Sequence, residues 1–296
     1  MLTVKPGEIA TAKLHSYMLA AVAPRPIAFA STVDKHGVPN LSPFSFYNVF
    51  GSNPPIAIFS PARRVKNNTI KHTLENVMET GEVVLNTVTY AMVQQMSLSS
   101  TEYPKGVNEF EKSGFTPVES KLVKPFRVKE SPVQFECKVN DIIHTGNEGG
   151  AGNLIVCEIV LVHVDDSLLD ADGRIDQHKI DVVGRLGGDW YVRASGNALF
   201  EVEKPLISMG IGVNALPESI RLSNVLTGNN LGQLGNVESV PTREESKLFL
   251  ESEEWKNLLK SDIAYSTSLH PHELAKILLE KNKVKEAFKL LIGTQI

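Results

Sequence analysis

The segment Ser60-Pro61-Ala62-Arg63-Arg64-Val65-Lys66-Asn67-Asn68-Thr69 gathers basic side chains, hydroxyls and amides directly ahead of a helical pattern that starts near Thr69. An exposed helix start of this kind suits a phosphate, because its first backbone N–H groups lack intrahelical partners and the helix dipole favours an anion there. Arginine and lysine add charge-assisted hydrogen bonds. A solvated loop of charges accounts for the same residues without a ligand. A second segment, from Ser42-Pro43-Phe44-Ser45-Phe46-Tyr47-Asn48 to Asn53-Pro54-Pro55, alternates small hydroxyls and amides with aromatics just before an apolar run. A site for a flat heterocycle needs that mixture, with hydrogen bonds for the polar edge and apolar groups for the faces. An ordinary hairpin with surface serines is the alternative.

Three other motifs fail on their physical requirements. Gly210-Ile211-Gly212-Val213-Asn214-Ala215 matches a dinucleotide fingerprint, but Pro217 follows at once and no strand feeds a helix there. Asp170-Ala171-Asp172-Gly173 has the look of a calcium loop, yet its glycine register puts Leu168 and Lys179 at ligand positions, so a solvated hairpin turn is expected. His270-Pro271-His272-Glu273 reads as an exposed helix start rather than a metal cluster. No metal ligands are expected.

Positioning the two segments falls to short β-rich runs between about Arg25 and Tyr191, each bounded by turn signals such as Asp34-Lys35-His36-Gly37. One helix interrupts them, Thr69 to Glu79, with Ile70, Thr73, Leu74, Val77 and Met78 at helical spacing and Gly81 as its stop. Ser97 to Ser113 predicts a turn and a short helix. Many short strands with few helices argue for a closed or half-open β-barrel, since closure removes exposed sheet edges. After Lys204-Pro205 the pattern turns helical. Thr242 and Glu245 form a capping box that opens a helix to about Leu259, and Pro271 to Leu291 spaces Leu274, Ile277, Leu278 and Leu291 as a last helix. This stretch reads as a helical appendage rather than an independent domain.

The chain of 296 residues carries 30 Lys+Arg against 34 Asp+Glu, a net charge of −4 that offers no global field for nucleic acid or an anionic membrane. With 42% hydrophobic and 22% charged residues, disorder and coiled-coil rods are poor readings. Cys137 and Cys157 lie in apolar alternating runs and read as strand residues, which suits a reducing cytosol. The first residues lack an apolar signal core, and no window reaches the roughly 18 apolar residues of a membrane helix. A soluble cytoplasmic protein is expected.

In their order along the chain these motifs resemble the FMN-binding split-barrel family of flavin reductases and flavoredoxin-like proteins. The resemblance rests on Arg25-Pro26-Ile27, Ser31-Thr32-Val33-Asp34, Gly37-Val38-Pro39-Asn40-Leu41-Ser42-Pro43-Phe44-Ser45, Asn53-Pro54-Pro55, Phe59-Ser60-Pro61, Thr69 and Asn76. It continues through Glu82-Val83-Val84-Leu85-Asn86, Ser131 to Cys137, Asp172 to Asp176 and Gly184-Arg185-Leu186-Gly187-Gly188, covering about residues 10 to 195. It implies a mainly β fold, a Greek-key split barrel at residues 10–203, with a mostly helical C-terminal extension at 206–296. The extension is expected to pack on its own barrel or on a dimer mate.

The resemblance further implies a homodimer holding FMN at the subunit interface. Ser45, Phe46, Tyr47 and Asn48 would line the isoalloxazine. Ser60, Arg63, Lys66, Asn68 and Thr69 would surround the phosphate, and Arg185 would supply another basic contact. Many relatives carry Lys-Asp-Thr where this chain has Asn67-Asn68-Thr69, so Arg63, Arg64 and Lys66 must take the charge role. The expected function is an FMN-dependent oxidoreductase of flavin-reductase type, with NAD(P)H as transient donor and a flavin, small molecule or protein as acceptor. A non-catalytic FMN-binding electron carrier is the alternative. Neither nucleic acid nor membrane is an expected partner.

Overall fold

The computed structural model describes residues 1–202, 204, 209–261 and 269–294. The expected domain limits at Glu203 and Leu206 lie outside these residues. The chain divides into two compact units, Met1–Phe200 and Glu201–Ile296.

The first unit runs α1 (Thr11–Ala21), β1 (Ala28–Val33), β2 (Pro39–Phe44), β3 (Tyr47–Ser52), β4 (Pro55–Phe59), α2 (His72–Thr80), β5 (Glu82–Asn86), α3 (Val93–Leu98) and α4 (Glu109–Ser113). It continues with β6 (Pro117–Val118), β7 (Arg127–Val128), β8 (Val133–His144), β9 (Asn153–Val164), β10 (Val183–Arg185) and β11 (Tyr191–Arg193). The second unit holds α5 (Glu218–Arg221), α6 (Gly228–Gly235), α7 (Arg243–Glu251), α8 (Glu253–Ser261), α9 (Pro271–Glu280) and α10 (Val284–Gly293).

Seven strands form one antiparallel sheet in the order β2-β1-β5-β8-β9-β4-β3. Its outermost strands, β2 and β3, are neighbours in sequence, joined only by Ser45 and Phe46. From Phe44 to Tyr47 the chain can reach at most about 11 Å. The edges of a flat seven-stranded sheet would stand about 29 Å apart at about 4.8 Å per strand. The sheet must therefore curl until its edges approach, giving a barrel split between β2 and β3. The connection after β4 returns β5 to the far side of β1, where Ala30 pairs with Leu85, and this return makes the topology Greek-key.

Every residue of β1 is buried because both of its faces are covered. Ala28 and Ala30 point into the barrel with Phe59, Leu85, Ile155 and Cys157. Phe29 faces outward into a second cluster with Leu41, Met96 and Phe110. The barrel interior also encloses Cys137, and burial raises both thiols, Cys157 to about 12. Among the described residues both cysteines are free, as the strand reading of them expects.

The turn after β1 follows its sequence signal: Asp34 Oδ1 accepts the N–H groups of His36 at 2.8 Å and Val38 at 2.9 Å, and Gly37 takes a positive φ of 84°. Helix α2 ends on left-handed Gly81 as predicted, and Ser97 to Ser113 closes with α4, capped by Asn108.

The second unit has a hydrophobic core of its own, built around Ile220, Leu234, Phe249, Trp255, Leu278 and Phe288. It is thus more than an appendage of exposed helices. Two predicted long helices are each divided. Ser252, extended at ψ 157°, separates α7 from α8, and its hydroxyl accepts the Trp255 N–H at 3.2 Å. Asn282, with φ 59°, separates α9 from α10. The Thr242–Glu245 capping box is present, and His270-Pro271-His272-Glu273 starts α9. The Gly210-Ile211-Gly212 match precedes a short 3-10 turn at Val213–Ala215.

Candidate functional site

The corner where the barrel splits carries the first set of predicted residues. Ser45 and Phe46 link the two edge strands, while Tyr47 and Asn48 open β3. Phe46 is 41% exposed, an unusual state for a phenylalanine fixed between two strands. Tyr47 leans on the barrel core, and burial raises its phenol well above the ordinary range. Asn48 is exposed, its Oδ1 accepting the Val49 N–H at 2.8 Å.

Ser60 follows β4 directly, and its N–H donates to the Phe46 carbonyl at 2.9 Å. This bond joins the aromatic corner to the basic loop. In that loop the structure corrects the expected helix start: α2 begins at His72 with Lys71 as N-cap, so Thr69 lies ahead of the first turn. The positive character comes instead from side chains held by a tight turn. Asn68 adopts a left-handed φ of 54°, and its N–H donates to the Arg64 carbonyl at 2.9 Å. Arg63 grips Asn68 twice, Nε to Oδ1 at 2.6 Å and Nη2 to the carbonyl at 2.7 Å.

The basic residues have different fates. Arg64 is spent on Glu102 at 2.8 Å, on the Thr69 hydroxyl at 2.9 Å and on the Ile70 carbonyl. Hydrogen bonds from Arg64 and Lys71 hold the Glu102 carboxyl below its usual range. Thr69 in turn donates to Asn67 Oδ1 at 2.8 Å. Among the described residues the Arg63 guanidinium meets only neutral oxygens of Asn68, while its backbone bonds Gly150 and Ala151. Lys66 is exposed and, among the described residues, has no ion pair. Arg63 and Lys66 are therefore the uncompensated cations of the loop.

A glycine-rich turn missed in the sequence supports this loop. Arg63 N–H donates to the Ala151 carbonyl at 2.8 Å, and Gly150 N–H donates to the Arg63 carbonyl at 3.0 Å. Asn68 Nδ2 reaches the Asn147 carbonyl at 2.9 Å. A Cβ on Gly149 would stand 3.0 Å from the Val65 carbonyl oxygen and 3.1 Å from that of Arg64, so a side chain there would push the two backbones apart by a few tenths of an ångström. Asn153, 1% exposed, locks the base. Its N–H donates to Ser60 Oγ at 3.0 Å, its Nδ2 to the Pro61 carbonyl at 2.8 Å, and its Oδ1 meets His144 Nδ1 at 2.7 Å. The signal was the run Gly146-Asn147-Glu148-Gly149-Gly150-Ala151-Gly152.

Arg185 belongs to the aromatic corner rather than to the basic loop. It forms an antiparallel bridge with Arg25, donates to the Gly188 carbonyl at 2.6 Å and lies 4.6 Å over the Tyr191 ring. Arg25 reaches Ser45 Oγ at 3.4 Å. Helix α1, absent from the sequence reading, follows the same side: the His15 ring meets Phe46 edge-on at 6.1 Å, and Ala20 closes on Gly187. None of its residues is fully buried, so it left no apolar stripe to read.

An aromatic, hydrogen-bonding corner tied by one backbone bond to a loop with two free cations fits a ligand with a flat ring system and a phosphate. The donor set therefore fits FMN: amide and hydroxyl groups at the ring end, Arg63 and Lys66 at the anionic end.

A family model described as flavin reductase like domain matches residues 20–179, which lie within the first unit. An uncharacterized protein of Aquifex aeolicus is 40% identical over 189 residues, 64% of this chain and 94% of that protein. The crystal structure of nitrilotriacetate monooxygenase component B from Bacillus cereus is similar with a TM-score of 0.64 and 29% identity, covering 68% of this chain and 98% of that one. The 2-nitrobenzoate 2-nitroreductase of Pseudomonas fluorescens is similar with a TM-score of 0.60 and 25% identity, covering 71% of this chain and all of that one.

Proposed function

Because the chain belongs to the flavin reductase like domain family, its chemistry is that of a flavin-related oxidoreductase, and we propose that it works with FMN. Bound FMN would supply the redox chemistry at this site, with NAD(P)H as hydride donor and a flavin, a small molecule or a protein as electron acceptor. The observation that carries this reading is the 2.9 Å bond from Ser60 N–H to the Phe46 carbonyl, which sets ring corner and cationic loop at one place.

In this reading Ser45, Phe46, Tyr47 and Asn48 face the ring system. Arg63 and Lys66 bind the phosphate, while Ser60, Asn68 and Thr69 shape the loop that presents them. Arg185 adds positive charge on the ring side through its place beside Arg25. A second copy of the chain would cover β3, whose Val49 and Phe50 stand 57% and 65% exposed on the edge beside the corner. Two buried, unpaired thiols suit a reducing compartment, so the cytoplasm is the proposed location.

The second reading, an FMN-binding electron carrier, uses the same site. It draws on Gly210-Ile211-Gly212 running into a short 3-10 turn at Val213–Ala215 instead of the helix N-terminus on which a dinucleotide pyrophosphate docks. Anaerobic mixing of the FMN-loaded protein with NADH and with NADPH separates the two. Loss of visible flavin absorbance with either donor is expected; no bleaching with both favours the carrier. Protein that takes up no FMN overturns both readings.

A further inference from the structure

Among the described residues Arg25 is the only lysine or arginine that is buried, at 6% exposure. Among those residues it has no carboxylate partner. Its guanidinium donates to the carbonyls of Leu19, Val22 at 2.7 Å and Leu186 at 2.8 Å, and to Ser45 Oγ at 3.4 Å. Burying a cation without a counter-ion is costly. The carbonyls at the C-terminal end of α1 offset part of that cost, since a helix presents its negative end there.

A second cation makes the arrangement less favourable for the fold alone. Arg185 pairs with Arg25 backbone to backbone, N–H to carbonyl at 2.9 and 2.8 Å in the two directions. Burial first, then the Arg185 charge, draws the Arg25 pKa below the ordinary arginine value, yet an arginine stays protonated. Two like charges at one bridge, with no acid between them, repel. They sit against Ser45, the first residue of the ring corner, and Arg25 also fastens α1, whose His15 meets Phe46. An electron-rich ligand at that corner turns the repulsion into attraction.

We propose that Arg25 is a positioning residue of the flavin site: with Arg185 beside it, its buried charge biases bound FMN toward the reduced form, while its fork ties α1 to the Ser45–Asn48 corner. The inference rests on the flavin reading above. A charge felt through partly screened protein changes the preference for the more negative redox state by about tenfold.

The test compares midpoint potentials of bound FMN, after FMN uptake by the wild type is established by titration. In Arg25→Met the ratio of affinities for reduced over oxidised FMN falls about tenfold, a midpoint about 30 mV more negative for a two-electron couple. Arg25→Lys keeps the charge and loses the fork: its potential stays near wild type, while hydrogen exchange in Thr11–Ala21 quickens in both variants. Arg185→Met shifts the potential in the same direction by a smaller factor. A purely structural staple would speed exchange in α1 and leave every potential unmoved, and folded Arg25→Met with the wild-type potential overturns the inference. If Arg25→Met does not fold, an unchanged potential in Arg185→Met overturns it. Wild-type protein that takes up no FMN overturns the flavin reading, and this inference with it.

Discussion

The ring corner and the basic loop meet at one backbone bond but are built by opposite means. The loop of residues 60–70 is over-determined: Arg63, Arg64, Asn68 and Thr69 bond to one another, and the turn at 147–153 braces them from behind. Its free charge is what remains after Arg64 is given to Glu102. The corner at Ser45–Asn48 has few internal bonds and an exposed aromatic, and its order comes from the strands on either side and from α1 lying against Phe46. A phosphate is a small fixed anion and rewards a rigid cradle. A ring that must also meet a donor and an acceptor needs one open face.

That contrast can be broken from either end. The largest effect is expected from Arg63→Ala with Lys66→Ala. FMN affinity falls ten- to a hundredfold, about 1.5–3 kcal/mol for lost bonds to a charged group, while riboflavin, which lacks the phosphate, binds as to wild type. Fluorescence titration of both ligands reads this, and equal losses for the two would erase the division of labour. Next comes Asn153→Leu, which keeps the backbone N–H bond to Ser60 Oγ but takes the side-chain donor from the buried Pro61 carbonyl and the oxygen that meets His144 Nδ1. A loss of about 2 kcal/mol in denaturant unfolding is expected, with FMN weakened more than riboflavin.

Phe46→Ala acts on the corner and lowers the affinity for both ligands about fivefold, in line with an aromatic contact of about 1 kcal/mol. A change confined to FMN would place the phenylalanine in the phosphate half. Asn68→Asp is subtler: it compensates Arg63 in place and reduces FMN affinity about threefold, an effect that fades with added salt. Smallest is the influence of the interior. Cys157→Ala leaves FMN affinity within about twofold of wild type, since packing at that position touches neither region. The thiol's raised pKa, about 12, means that the neutral form is favoured by folding. Its stabilisation is fully present below the unfolded-state pKa of about 8.5 and is lost as pH rises toward the folded value. Urea titrations at pH 7 and pH 10 should show the variant losing less stability than the wild type across that interval.

Much of the barrel was legible because strands announce themselves locally. Alternating apolar runs and turn residues such as Asp34 and Gly37 carry their signals within a few positions. The basic loop was legible in composition but not in mechanism. The helix starts at His72, and the charge that matters depends on Arg64 finding Glu102, a partner 38 residues away. Helix α1 was illegible because none of its residues is fully buried. Arg25 was visible as part of a motif, but its burial and its pairing with Arg185 follow from a bridge between distant segments. The breaks at Ser252 and Asn282 were hidden by periodic leucines on both sides of each.

Residue types and short-range order determined which segments become strands, where the hairpins turn, that the thiols sit on apolar strands, and that residues 42–48 and 60–69 are the segments proposed to hold the ligand. Curling the sheet decided the rest. With β2 and β3 as the two outer strands and only Ser45 and Phe46 between them, closure brings the corner, the loop after β4 and the bridge of Arg25 with Arg185 together. Whether a charge ends free, as at Lys66, or spent, as at Arg64, depends on distances that no local pattern encodes.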